Sequence, residues 1–200
     1  MSRLPIILAS ASPRRSELMR QIGLEFEVRV SLIEEDIAPP QHHPEAYARA
    51  LAEHKAADIA RGVTNGIVIG ADTIVVLDEH ILNKPSDEDD ALRMLRLLQG
   101  RPHQVITAIA VLEVINGGTV RNVVEHVTTA VTMREASVAE LRAYVETGEP
   151  LDKAGAYAIQ GRGSVFIEGI VGDYFNVVGL PLFTLARILE AGDWMVEVGF

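Results

Sequence analysis

Two arginines, Arg14 and Arg15, follow almost directly on an apolar run in the stretch Ile6-Ile7-Leu8-Ala9-Ser10-Ala11-Ser12-Pro13-Arg14-Arg15. A chain that leaves a buried strand and turns into a helix presents unpaired N–H groups, and the helix start carries partial positive charge, so such a turn favours anions. Cations in the first helical turn oppose that dipole unless something negative neutralises them, and arginine suits bidentate contact with phosphate. The segment Ser10 to Arg15 therefore reads as a phosphate site. The plainer alternative leaves one arginine solvated and ties the other to Glu17 or to a distant acid.

A second candidate is Gly70-Ala71-Asp72-Thr73, which follows the apolar run Ile67-Val68-Ile69. An aspartate at the end of a buried strand occupies the usual position for ligand contacts in open α/β sheets, where it can hold a divalent metal or accept a proton from water. A turn aspartate satisfying local amides is the alternative. Glu35, Lys55 and Lys84 each lie near an element boundary, and singly each reads as solvated surface charge. Taken together, they provide what cleavage of a phosphoanhydride needs: cations to neutralise phosphates, and carboxylates to hold Mg²⁺ or activate water. In Lys153-Ala154-Gly155-Ala156-Tyr157-Ala158-Ile159-Gln160-Gly161, small residues let a flat ligand approach the backbone, and the Gln160 amide can read a base edge. The alternative there is a strand with bulges.

The chain has 200 residues, 48% of them hydrophobic, enough for one compact domain over residues 1–200. It has no cysteine, which excludes a disulfide framework and thiolate chemistry. Its 28 acidic and 18 basic residues give a net charge of −10, opposing non-specific binding to nucleic acid or an anionic membrane. Any anionic ligand must be met by a local basic cluster. The run from Leu4 to Ala9 is too short for a signal peptide, and no stretch reaches the roughly 18 apolar residues of a spanning helix, so a soluble cytoplasmic protein is expected. There is no P-loop or H-E-x-x-H motif, Gly161-Arg162-Gly163 lacks the context of a dinucleotide fingerprint, and His42-His43 reads as loop surface.

The elements that must position these residues alternate. A helix capped at Ser12, with Pro13 first, closes at Gly23; a strand is expected over Phe26–Val30 and an alanine-rich helix over Pro44–Ala60, carrying Lys55. The strand from Ile67 ends or is interrupted at Ala71–Thr73, a hairpin turns around Asp78–His80, and Ser86 caps a helix that stops at Gly100. Two long strands, His103–Ile115 and Val120–Met133, flank Asn116-Gly117-Gly118. Ser137 and Glu140 form a capping box for a helix ending near Gly148, and a final helix spans about Pro181–Glu190. This order predicts an α/β fold with a mixed sheet flanked by helices.

Seven stretches, in one order, resemble the Maf family of nucleoside triphosphate pyrophosphatases: IILASASPRR, the pair Glu34-Glu35, the Lys55 helix, IGADTIV, NKPSD, GRPHQVITA and the block from DKAGAYAIQGRG to GDYFNVVGLPL. The resemblance covers nearly the whole chain, apart from the loop Glu35–Glu45 and the tail from Asp193. It implies two lobes around a cleft, in an architecture related to the inosine triphosphate pyrophosphatases. It also implies hydrolysis between the α- and β-phosphates, with Mg²⁺ or Mn²⁺ as cofactor and a homodimer as the assembly. Carried over by position, Ser10, Arg14, Arg15, Lys55 and Lys84 resemble triphosphate binders, Glu35 a metal or water ligand, and Asp72 the proton acceptor and second metal ligand. The KAGAYAIQG block resembles the branch acting on dTTP and UTP, in which Arg14, Thr73 and Gln160 match positions tied to substrate choice. Modified pyrimidine nucleotides remain open as substrates. Two other readings stand: a purine pyrophosphatase acting on inosine or xanthosine nucleotides, and a non-enzymatic nucleotide-sensing regulator of septum formation and cell division.

Overall fold

A computed structural model of the chain describes residues 4–32 and 43–194. Its strands are β1 (Ile6–Leu8), β2 (Glu27–Val28), β3 (Gly66–Leu77), β4 (His80–Leu82), β5 (Pro102–Ile115), β6 (Gly118–Met133) and β7 (Ile167–Val171). Its α-helices are α1 (Pro13–Gln21), α2 (Pro44–Ala60), α3 (Glu88–Leu98), α4 (Val138–Val145), α5 (Tyr174–Val178) and α6 (Leu182–Ala191). The strands form one seven-stranded mixed sheet in the order β2-β1-β3-β5-β6-β7, with β4 also paired to β3. β1 runs parallel to both β2 and β3, and every other pairing is antiparallel. Among the described residues no helix is long and apolar enough to cross a membrane.

The period-two alternation of a strand assigns the sides of β3. Ile67, Ile69 and Ala71 pack with α1 and α6, whereas Val68, Ile74 and Val76 pack with α2. Further along the sheet, Leu95 and Leu98 of α3 and Leu141 of α4 close over Val105, Val131 and Met133. The two expected lobes thus share a single sheet.

The structure departs from the sequence expectations in several places. β3 does not end at Gly70, because β5 pairs with it continuously from Gly66–Val114 to Val76–Gln104; Asp72 lies mid-strand opposite Ala108 and is not a turn residue. β2 is only two residues long. The cap of α3 is Asp87, whose side chain accepts from the Asp90 N–H at 2.8 Å, while the Ser86 N–H donates to the Asp90 carboxylate at 3.1 Å. Ser12 stands at the N-cap of α1 without a side-chain cap bond, and its own N–H donates to Ser10 Oγ at 3.2 Å. The segment after Lys153 is no bulged strand: it pairs with no other strand, and the chain forms short 3₁₀ turns in which Gly155 and Ala156 are both left-handed, with φ of 67° and 60°. The capping box of α4 and the hairpin turn at Asn116-Gly117 formed as expected.

Helix α5 was not foreseen. Asp173 caps it by accepting from the Phe175 and Asn176 N–H groups, and the fully buried Asn176 accepts from the Thr107 N–H at 3.0 Å and donates to the Val105 carbonyl at 2.9 Å. One amide therefore bolts α5 to the backbone of β5, which places the following Gly179 beside β3.

His103 of β5 is buried and shares a 2.7 Å hydrogen bond with the Tyr157 hydroxyl. Burial pushes its pKa from 6.5 to about 4, against the pull of the Arg101 carbonyl. The native ring stays neutral where the unfolded chain takes up a proton, so stability is complete above pH 6.5 and declines as pH falls from 6.5 toward 4. Between pH 7 and pH 5 this linkage should remove about 2 kcal/mol. Urea titrations at both pH values should show that loss in the wild-type protein and its absence in His103→Asn; equal losses would mean that the ring is not held neutral.

Candidate active site

The site is built on a gap in the sheet. β1 pairs with β3 only as far as Ile69, and β4 pairs with it only from Val75, while β5 occupies the opposite edge throughout. Residues 70–74 of β3, roughly 16 Å of strand, therefore have no strand beside them on one edge among the described residues. Asp72 and Thr73 occupy this gap and point to opposite faces of the sheet.

On one face lies α2. A Cβ on Gly70 would stand 2.3 Å from the Ala52 carbonyl oxygen and 2.8 Å from the Ala56 nitrogen, so the helix backbone lies directly on the strand. Asp72 is two residues along the same face, and Lys55 lies on the helix face that carries Ala52 and Ala56. The close approach brings Lys55 Nζ to 2.5 Å from Asp72 Oδ1, with both side chains largely buried. A carboxylate taken out of water needs such a charged partner.

On the other face Arg15 fills the gap. Its Nη1 donates to the Ala71 carbonyl at 2.9 Å and to Ser10 Oγ at 3.1 Å, its Nη2 to Thr73 Oγ1 at 3.1 Å, and its Nε to the Gly179 carbonyl at 2.9 Å. The guanidinium thus supplies the Ala71 carbonyl of β3 with a hydrogen bond that a neighbouring strand would otherwise make. Thr73 is fixed further by a 2.9 Å bond to Thr107 Oγ1.

These elements enclose a cleft of about 400 Å³. It is lined by Ser10, Arg14, Arg15, Lys55, Asp72, Thr73, Lys84 and Gln160, so eight of the nine residues singled out from sequence meet in one place. Glu35 lies outside the described residues. The lining also includes Lys153, Asp152 and Asn83, to which the sequence reading gave no role. Asp152 and Lys153 open the DKAGAYAIQG block and Asn83 precedes Lys84, so all three were in view as motif members without an individual signal. The Lys153 amine is mostly buried, pairs with the Asp152 carboxylate and donates to the Glu149 carbonyl at 3.3 Å. Burial works to raise the Asp152 carboxyl, but Lys153 and then Arg14 hold it below the ordinary range.

Electrostatically the cleft inverts the rest of the molecule. Arg14, Arg15, Lys55, Lys84 and Lys153 face only Asp72 and Asp152 among its described lining residues, in a chain of net charge −10. Such a cluster raises the local concentration of an anionic ligand. Among the described residues no three His, Asp or Glu side chains stand close enough to hold a metal by themselves.

Comparison with known proteins agrees in kind. A family model described as Maf-like protein matches residues 5–192. A dTTP/UTP pyrophosphatase of Desulforamulus reducens is 49% identical over 186 residues, covering 93% of this chain and 95% of that one. Another, of Moorella thermoacetica, is 49% identical over 191 residues and 94% of each chain. A third, of Methanosarcina barkeri, is 48% identical over 196 residues, 97% and 98% of the two chains.

The contact at Gly70 makes a sharp prediction. Gly70→Ala should destabilise the protein by about 2 kcal/mol or more through overpacking and push Lys55 away from Asp72. Gly169→Ala, whose Cβ would meet nothing within 4 Å, serves as the control and should change stability by less than about 1 kcal/mol. Denaturant midpoints compare the two; equal midpoints would refute the close approach.

Proposed function

The chain belongs to the Maf family, and from that premise we propose that it works as a single domain hydrolysing dTTP and UTP to the nucleoside monophosphate and pyrophosphate. The observation that carries this reading is the cleft itself, with five cations gathered around one buried carboxylate in an acidic protein.

In this reading Arg14, Lys84, Lys55 and Ser10 take the triphosphate oxygens, and Arg15 keeps Ser10, Ala71 and Thr73 in place behind them. Lys55 occupies one Asp72 oxygen. A triphosphate that draws the ammonium onto its own oxygens releases that carboxylate oxygen to accept a proton. The oxygen of a water molecule then forms a bond to the α-phosphorus as the bridging P–O bond to the β-phosphate breaks. The water proton passes to Asp72, and pyrophosphate leaves with the bridging electron pair stabilised by the lysines and Arg14.

The donors fit a Mg²⁺-type ion, which takes one or two carboxylates and completes its shell with substrate phosphate oxygens and water. Asp72, joined by Glu35, would hold it, and the ion would supply charge neutralisation at the phosphates. In this reading Arg14, Thr73 and Gln160, which line the cleft, select the base. A glutamine amide offers both a donor and an acceptor to the O4 and N3–H edge of uracil or thymine.

The test is pyrophosphate release from purified protein with Mg²⁺ or Mn²⁺ across the ordinary nucleoside triphosphates, ITP and 7-methyl-GTP. Preference for dTTP and UTP is expected; preference for ITP would move the substrate to the purines, and no release at all would overturn hydrolysis. Asp72→Asn should keep its fold and lose roughly a hundredfold or more in kcat, the range of a lost acid–base group. Arg14→Ala and Lys84→Ala should each lower kcat/KM by tenfold or more, and values equal to wild type in both would return these residues to solvated surface charge.

A further inference from the structure

The Gly161-Arg162-Gly163 stretch does not line the cleft, yet its conformation is closely determined. The Glu149 carboxylate accepts from the Arg162 N–H at 3.0 Å and the Gly163 N–H at 2.9 Å, and from the Tyr144 hydroxyl at 2.9 Å. That hydroxyl in turn accepts from the Ala158 N–H at 3.2 Å. The chain is therefore tied down on both sides of Gln160 by one tyrosine–carboxylate pair. The wrapping is tight enough to dictate the two glycines. Gly161 has φ of +76°, and a Cβ there would lie 2.7 Å from Glu149 Oε2; one on Gly163 would lie 2.5 Å from the Tyr144 hydroxyl.

The pair itself is well anchored. Burial would raise the Glu149 carboxyl, but the Gly163 and Arg162 amides and the Tyr144 hydroxyl outweigh it and keep the carboxylate ionised. Burial and that neighbouring carboxylate raise the Tyr144 hydroxyl, so it keeps its proton and donates. The Tyr144 ring stacks at a tilt on Phe166, with centroids 5.3 Å apart. Both residues stand behind the loop, while Gln160 lines the cleft in front of it.

We propose that Tyr144 and Glu149 are positioning residues for nucleobase selection, which fix the backbone around Gln160 and so decide where its amide stands in the cleft. This rests on the reading of the cleft as a pyrimidine nucleotide site. A side-chain amide discriminates between edges only if its backbone holds still, because a shift of about 1 Å breaks hydrogen-bond geometry. Tyr144 and Glu149 supply that rigidity through three backbone amides without touching the nucleotide.

The experiment measures kcat and KM for UTP, dTTP and CTP in wild type, Glu149→Gln, Tyr144→Phe and Gln160→Ala, and in each of the first two variants combined with Gln160→Ala. Tyr144→Phe keeps the ring on Phe166 and so serves as the second probe if Glu149→Gln fails to fold. The UTP-to-CTP ratio of kcat/KM should fall at least tenfold in each positioning variant, with the change carried mainly by KM. In the Gln160→Ala background neither variant should lower the ratio further. A ratio that holds while all three substrates lose activity equally, or effects that simply multiply with that of Gln160→Ala, would overturn the proposal and leave the pyrimidine reading intact. A wild-type protein that does not distinguish UTP from CTP would overturn it as well. One that releases pyrophosphate from no nucleotide would instead remove the reading on which it rests.

Discussion

The absence of a side chain at Gly70 is the constraint on which the site depends. Because nothing separates β3 from the backbone of α2 at that point, the helix lies against the strand, and a lysine one turn along reaches an aspartate two residues along. Any larger residue would lift the helix and carry Lys55 away from the buried Asp72. The ion pair is thus a product of backbone distance, set before any side-chain rotamer is chosen.

Arg15 has a comparable place on the other face. A cation in the first turn of a helix opposes the helix dipole, which first pointed to an anionic ligand. The structure resolves the conflict differently for the two arginines. Arg15 binds four oxygens of the protein's own chain and closes the sheet edge, whereas Arg14 lines the cleft mouth. The same dipeptide therefore contains a structural member and a candidate ligand, distinguished by the β3 edge, Ser10 and Gly179 that receive Arg15.

How much of this was legible in advance follows from how local each signal is. Pro44 at the start of α2, the Asn116-Gly117 turn and the Ser137–Glu140 capping box are set by neighbours within a few residues, and each formed where expected. The end of β3 was misread because its length is sustained by β5, some thirty residues later, and polar Asp72 and Thr73 look like a strand end without that partner. Left-handed Ala156 could not be foreseen, since alanine carries no mark of that conformation. The chemistry-bearing residues of the site were visible by type, but the gap that assembles them depends on strand order, and Lys153 stood in a recognised block with no signal of its own.

Since Asp72 and Thr73 point to opposite sides of the sheet, the gap opens toward both of the helical layers that the sheet keeps apart. Lys55 ties the gap to α2, and the Arg15 network ties it to α1 and the junction after α5. A nucleotide bound there would in that sense be a removable rivet through the sheet. It would add mechanical continuity between helices that share no core, and the folded state would gain stability from it in proportion to the logarithm of its concentration over its dissociation constant. The metabolic pool that the protein acts on would then also set how firmly it is held together.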